Sequence, residues 1–164
     1  MTGLRALVIT VSGRASAGVY ADTGGPILVD GLRDMGFDVH GPVVVPDGEP
    51  VEAALRDGVD ASYDVILTTG GTGLSPTDRT PEMTRPLLEF EVPGIAEALR
   101  SFGAAQGVST AVFSRGLAGV VGRSLVVNLP GSSGGCRDGV AVLRPLLGHA
   151  VDQIRGGDHP RSGG

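Results

Sequence analysis

The stretch Tyr63–Glu82, YDVILTTGGTGLSPTDRTPE, constrains this chain more than any other. Val65-Ile66-Leu67 is an apolar run rich in β-branched side chains, the composition of a strand buried on both faces. Thr68 and Thr69 lead into Gly70, Gly71 and Gly73, and glycine admits positive φ and close approach of a ligand to the main chain. Further on, Thr80 is placed to cap a helix, Pro81 suits its first position and Glu82 favours its positive end. Strand, glycine loop, acid (Asp78) and helix start together describe an anion site at the carboxyl edge of a sheet. Neither common nucleotide loop is present. No Lys follows to complete GxxxxGK[ST], and the run from Gly71 ends in Pro76 where GxGxxG needs glycine. A glycine turn that merely joins strand to helix is the competing reading.

The same alternation of apolar run and helical period extends along the chain. Leu4–Val11 reads as a first strand, followed by the polar glycine loop Ser12–Gly18, where Arg14 is available to a phosphate. Asp22–Met35 carries Ile27, Leu28, Leu32 and Met35 at helical spacing, and Gly36 ends the helix. Phe37–Val45 is a second strand, bent or bulged at Gly41-Pro42, and Pro50–Gly58 a short amphipathic helix. After the signature strand at Tyr63–Thr69, Met83–Phe90 is expected to continue helically from Glu82, with another helix over Ile95–Ala105. Glu97 and Arg100, one turn apart, are placed to pair on its surface. Gly116–Val121 and Arg123–Leu129 flank Gly122 as a hairpin, and Leu129–Gly135 forms a second glycine loop. The closing helix, Val140–Ile154, contains Pro145, which kinks it or joins two shorter ones. The fold class expected is α/β: three layers, a mostly parallel sheet with helices on both faces, and one antiparallel hairpin addition. Residues 1–157 form a single domain and residues 158–164 a flexible tail.

Composition narrows the function classes. At 164 residues, with 41% hydrophobic and 19% charged, the chain suits one globular domain with a sizeable core. The net charge of −5 argues against nonspecific nucleic-acid binding and requires a polyanionic ligand to meet local arginines. Cys136, the sole cysteine, excludes an internal disulfide and fits a reducing compartment. No apolar run spans a bilayer and no leader pattern is present, so no membrane association is expected and the cytoplasm is the default location.

In a parallel sheet the loops at the strands' carboxyl ends converge on one crevice. Four segments meet there on this reading: Ser12–Ser16, Pro46-Asp47, Gly70–Asp78 and Pro130–Ser133. Asp47 and Asp78 sit just past two strand ends, and a carboxylate pair beside glycine loops suits Mg²⁺ bound to phosphates. Backbone amides of Gly71–Gly73 would hold phosphate oxygens, and Arg14, Arg79 or Arg115 would add positive charge. The competing account makes both aspartates turn-formers. Cys136 reads as a small loop residue at the start of the last helix, not a nucleophile, although a thiol there can have a lowered pKa. His40 faces solvent or an interface, His149 serves packing or an interface, and His159 falls in the tail.

The string TTGGTG, a short spacer, Asp78 and Thr80-Pro81-Glu82 resembles the signature of MogA/MoaB molybdenum-cofactor proteins and gephyrin-type G domains. Val11–Asp22 (VSGRASAGVYAD), Val44–Asp47 (VVPD), Pro93–Arg100 (PGIAEALR), Phe113–Arg115 (FSR) and Asn128–Ser132 (NLPGS) recur in the family's order, so the likeness runs from about Leu4 to Gly157. The resemblance implies Mg²⁺- and ATP-dependent adenylylation of molybdopterin, with Asp47 and Asp78 catalytic and metal-binding. It implies nucleotide and pterin contacts from Ser12, Arg14, Asp22, Thr69, Gly70, Gly71, Thr72, Gly73, Ser114, Arg115, Pro130, Gly131 and Ser132. It further implies a homotrimer and hand-over of the product to a molybdate-inserting MoeA-like protein. The chain departs from the family pattern at Gly13, where relatives usually carry Asp, at Ala104, where some carry Ser, and at PGSSGG, where a basic residue is usual; Arg137 is the nearest substitute. A pterin-binding protein without turnover, an assembly scaffold as in gephyrin, and a CinA-like activity on another nucleotide stay open as alternatives.

Overall fold

Alternate residues of the first strand are buried on opposite sides, and that alternation sets the architecture. The computed structural model describes residues 3–18 and 21–157. In chain order its elements are β1 (Arg5–Val11), a short helical turn α1 (Gly13–Ser16), α2 (Gly24–Asp34), β2 (Asp38–Val45), α3 (Glu49–Asp60), β3 (Val65–Thr69), α4 (Thr80–Thr84), β4 (Phe90–Glu91), α5 (Pro93–Ala105), β5 (Ala118–Val121), β6 (Ser124–Leu129), α6 (Ser133–Leu143) and α7 (Leu147–Ile154). Ala6 and Val8 of β1 pack with Leu28 and Leu32 of α2, Leu143 of α6 and Leu147 of α7. Leu7, Ile9 and Val11 pack the other way, against Val51 and Leu55 of α3. The result is three layers, helix–sheet–helix, as the sequence leads one to expect.

The six strands run in the order β2-β1-β3-β6-β5-β4. β2, β1, β3 and β6 are mutually parallel, while β5 is antiparallel to β6 and β4 to β5. Register matters more here than order. Thr10 pairs with Thr69 and Thr69 with Leu129, so the central strands end level and their loops leave from one rim. The register of β1 with β2 slips between Leu7 and Ile9, opposite the cis Gly41–Pro42 peptide, where the sequence places a bend.

Several expectations are corrected. Met83–Phe90 does not continue as a helix: α4 stops at Thr84, Arg85–Leu87 is a 3₁₀ turn, and Phe90–Glu91 adds an edge strand. Pro86 cannot donate to the helical ladder, which accounts for the early stop. The closing helix starts at Ser133, well before Val140, and Pro145 marks a join between α6 and α7. Gly134, Gly135 and Gly139 hide that first half, because glycine is a poor helix former. Ser12 caps α1 by accepting from Ala15 N, so the segment after β1 is a helical turn within the expected loop. Arg100 does not pair with Glu97; its Nη1 donates to the carbonyls of Ser114 and Gly116. His40 is exposed and meets Tyr63 edge-on, with ring centroids 5.6 Å apart, and His149 is exposed on α7. Residues 158–164, with the expected tail and His159, lie outside the described residues. No helix among the described residues is long and apolar enough to cross a membrane.

Cys136 is a fully buried residue of α6, not a loop residue. Burial pushes its thiol above the usual range, partly offset by Thr69 Oγ1 at 3.1 Å. The folded state therefore favours the neutral thiol, and that contribution is present at neutral pH and lost as pH rises past the ordinary thiol value. Alkylation of Cys136 at pH 8 should be about a hundredfold slower in native than in urea-unfolded protein, read by intact mass. Asn128 supplies the polar stitch of the core. Its Nδ2 donates to Thr68 Oγ1 and Thr84 Oγ1, and its Oδ1 accepts from Leu117 N. Asn128→Ala should lower unfolding stability by about 2–4 kcal/mol in urea titration, because the partners are left buried without it.

Candidate active site

In Gly70–Gly73, which open the loop after β3, every carbonyl accepts a hydrogen bond from the protein and every amide beyond the first is left open. Gly70 and Gly71 adopt φ of 100° and 68°, a region that side chains with a Cβ seldom enter. Gly70 O accepts from Thr80 Oγ1 and Gly71 O from Thr80 N. Thr72 O accepts from Arg115 N, and Gly73 O from Arg115 Nε. The amides of Gly71, Thr72 and Gly73 donate to no group among the described residues. Such a run of N–H groups without protein partners has the donors that an anion-binding concavity uses. Thr80 is thus a tie to the glycine loop and not the helix cap the sequence suggests; Arg79 holds the cap position without a side-chain bond.

The loop after β6 lies against this one. A Cβ on Gly131 would sit 3.3 Å from Gly70 Cα, so the two backbones meet without intervening side chains. Thr69 Oγ1 reaches across to donate to Pro130 O at 2.6 Å. Ser132 Oγ caps α6 by accepting from Gly135 N. The amides of Gly131 and Ser132 donate to no group among the described residues.

Two cavities flank this double-glycine ridge, of about 770 and 740 Å³, each roomy enough for a nucleotide- or pterin-sized ligand. Gly71, Asp78 and Gly131 border both. The first cavity is lined by Ser12, Arg14 and Asp22 beside β1, by Asp47 after β2, and by Thr69 and Gly70. Asp22 is held there by Thr10 Oγ1 at 2.8 Å and Gly25 N at 3.0 Å. The second is lined by Thr72, Gly73, Ser114, Pro130 and Ser132, with Arg100, Asn128 and Arg137. Of the residues expected to hold the ligands or the metal, all but Arg79 and Arg115 border one cavity or the other. Ala104 borders neither.

The two acids lie on the same side of the molecule. A Cβ on Gly71 would stand 3.2 Å from Asp47 Oδ1, and one on Gly73 would stand 2.9 Å from Asp78 Oδ2. Both are half-buried, and Asp47 accepts no hydrogen bond among the described residues. A side chain begun at Gly13 would meet Asp47 Oδ2 first, at 3.8 Å, so the missing family carboxylate leaves open space beside that acid. No group of three or more metal-ligating side chains occurs among the described residues. Mg²⁺ suits such a place, because it takes one or two carboxylates and completes its shell with water and phosphate oxygen. A cavity carrying Asp22, Asp47 and Asp78 against Arg14 would otherwise repel a polyphosphate.

Arg115 departs from its expected role. Its Nε donates to Gly73 O, its Nη2 to Asp78 O, and its Nη1 to Glu82 Oε2 at 2.7 Å. The hydrogen bond from Arg115 holds the Glu82 carboxyl below its usual value, and the Glu82 carboxylate in turn raises Arg115. The pair therefore persists through neutral and mildly acid pH and is lost only as pH falls through the depressed Glu82 value. Sequence reading missed Arg100, taken as a surface partner of Glu97, and Asn128, visible only as part of NLPGS. Arg137 lines the second cavity, exposed and without a hydrogen bond or ion pair among the described residues.

Comparison with known proteins places the chain in a family. Residues 7–149 match the family described as a probable molybdopterin binding domain. A molybdenum cofactor biosynthesis bifunctional protein of Synechococcus elongatus is 40% identical over 97% of this chain and 50% of its own length. The chain thus spans about half the length of that relative. A molybdopterin adenylyltransferase of Helicobacter pylori is 33% identical over 91% of this chain and 86% of its own. The solved structure of the Mog protein from Mycobacterium ulcerans is 50% identical, covers 93% of this chain and 99% of its own, and superposes with a TM-score of 0.88. The chain belongs to the probable molybdopterin binding domain family, which the MogA and MoaB proteins share.

Proposed function

We propose that this protein is a molybdopterin adenylyltransferase of molybdenum cofactor biosynthesis, using Mg-ATP as co-substrate. The observation that carries the reading is the loop Gly71–Gly73, whose carbonyls are all occupied, whose amides have no partner among the described residues, and which borders two cavities carrying Asp47 and Asp78. An enzyme that joins two ligands at a phosphate needs two adjoining chambers and donors at their junction, which is this arrangement. The relative of Helicobacter pylori named for the activity supports the assignment.

The reaction is a displacement at the α-phosphorus of ATP. An oxygen of the terminal phosphate of molybdopterin forms the new P–O bond, the α–β bond breaks, and pyrophosphate leaves with the electron pair. Open amides at the glycine loop stabilise the oxygens on which charge accumulates, with no reorganisation when the charge develops. The two cavities hold the partners in line, converting a bimolecular step into an effectively unimolecular one. Ser114, Pro130 and Ser132 border one ligand's chamber, and Ser12, Arg14, Asp22 and Thr69 the other's. Asp47 and Asp78 would hold Mg²⁺, which when bound supplies positive charge against the polyphosphate. We assign the protein to a homotrimer in which each subunit carries a site, and its product to a molybdate-inserting MoeA-like partner.

Pure protein mixed with Mg-ATP and molybdopterin should form adenylylated molybdopterin and pyrophosphate, detected by chromatography and mass. Properly folded protein that binds pterin but forms no product points instead to a MoaB-like binding protein. Asp47→Asn and Asp78→Asn should each lower kcat by about 10²–10³ while circular dichroism and oligomer mass stay unchanged. Wild-type rates in both variants would remove the carboxylates from the mechanism.

A further inference from the structure

The segment Ser75–Asp78 leaves the glycine loop as an exposed turn, yet it carries one of the two acids. Within the turn, Asp78 N donates to Ser75 O at 2.9 Å and Ser75 N to Asp78 Oδ2 at 3.1 Å. These bonds shape the turn but do not anchor it. Thr80 fixes the chain just after the turn, through Gly70 O and Gly71 O. Between those points one side chain reaches both ends of the excursion. Arg115 Nε takes Gly73 O and Nη2 takes Asp78 O, each at 2.9 Å. Its own amide takes Thr72 O at 2.8 Å, so it grips the loop by main chain and side chain at once.

We propose that Arg115 is a positioning residue that sets Asp78 and the open amide of Gly73 in register, and that Glu82 in turn sets Arg115. The proposal rests on the reading of Asp78 as a working carboxylate of the adenylyl-transfer site. A guanidinium is suited to this and an ammonium is not, because its planar fork presents several donors at fixed angles. Here the fork spans Gly73 O, Asp78 O and both oxygens of Glu82. The side chain is thereby committed to the protein and borders neither cavity, which separates it from a phosphate ligand. Glu82 stands in the first turn of α4, where a carboxylate is favoured, and neutralises the cation beside the loop. The hydrogen bond from Arg115 holds the Glu82 carboxyl below its usual value, so the pair is ionised and the clamp closed at neutral pH.

The test compares wild type, Arg115→Lys and Glu82→Gln by steady-state kinetics and by amide hydrogen exchange. Arg115→Lys keeps the charge and loses the fork. Its kcat should fall about tenfold or more, with KM for ATP and for molybdopterin within about twofold of wild type. Exchange at the amides of Ser75 and Asp78 should quicken about tenfold, while amides in β1 and β3 keep wild-type protection. A raised KM for ATP with unchanged kcat and unchanged loop exchange would make Arg115 a phosphate ligand and overturn the proposal. Should Arg115→Lys lose protection throughout, Glu82→Gln decides. It should show the same split about threefold, and wild-type kcat with wild-type loop exchange would overturn the proposal. A wild-type protein that forms no product removes the functional reading, and the exchange arm still decides the clamp.

Discussion

The structure depends on the chain turning at the end of its central strand with no room for a side chain. Gly70 sits between the ends of β1 and β6, where a Cβ would run into Val11 O, and its amide donates to Leu129 O at 3.0 Å. Gly71 follows at positive φ, and a Cβ there would strike Thr80 Oγ1. These two residues hold together three strand ends and the start of α4. They also rotate the next amides outward. An ordinary residue at either place would shift the turn, and with it the donors of Thr72 and Gly73 and the approach to Asp78.

Charge explains why the site is built of main chain. The chain carries −5 overall, and on the proposed reading it accepts a polyanion. Amide dipoles attract phosphate oxygens without adding a net charge that would need a partner when the site is empty. The arginines nearby are used sparingly: Arg100 and Arg115 spend their donors on carbonyls that shape the walls. What remains for a second ligand is Arg137 of α6 at the margin of the other cavity, the nearest basic side chain after a proline-glycine loop that carries none.

Much of this was legible in the sequence because it is written in local chemistry. Apolar runs named the parallel strands, glycines named the turns, and level strand ends follow from parallel pairing, so Asp47 and Asp78 could be brought to one rim before any coordinates. What escaped was non-local. Thr80 looks like a helix cap from its neighbours, but its hydroxyl answers to Gly70, ten residues back. Phe90 reads as the end of a helix until the edge of β5 is there to pair with it and Glu91. The first half of α6 is masked by glycines that serve close packing, such as Gly139 against Leu129. Arg115 could be read only as a cation near a phosphate. Its partners, Gly73, Asp78 and Glu82, become neighbours through the fold alone.

The central claim is that open amides and two carboxylates act together on a magnesium triphosphate. A crystal structure of the protein with Mg²⁺ and a non-hydrolysable ATP analogue tests it most directly. The account predicts triphosphate oxygens within hydrogen-bond distance of the Gly71–Gly73 amides and a metal ligated by Asp47 and Asp78. A triphosphate seated away from that ridge, or a metal that ignores both acids, would contradict it.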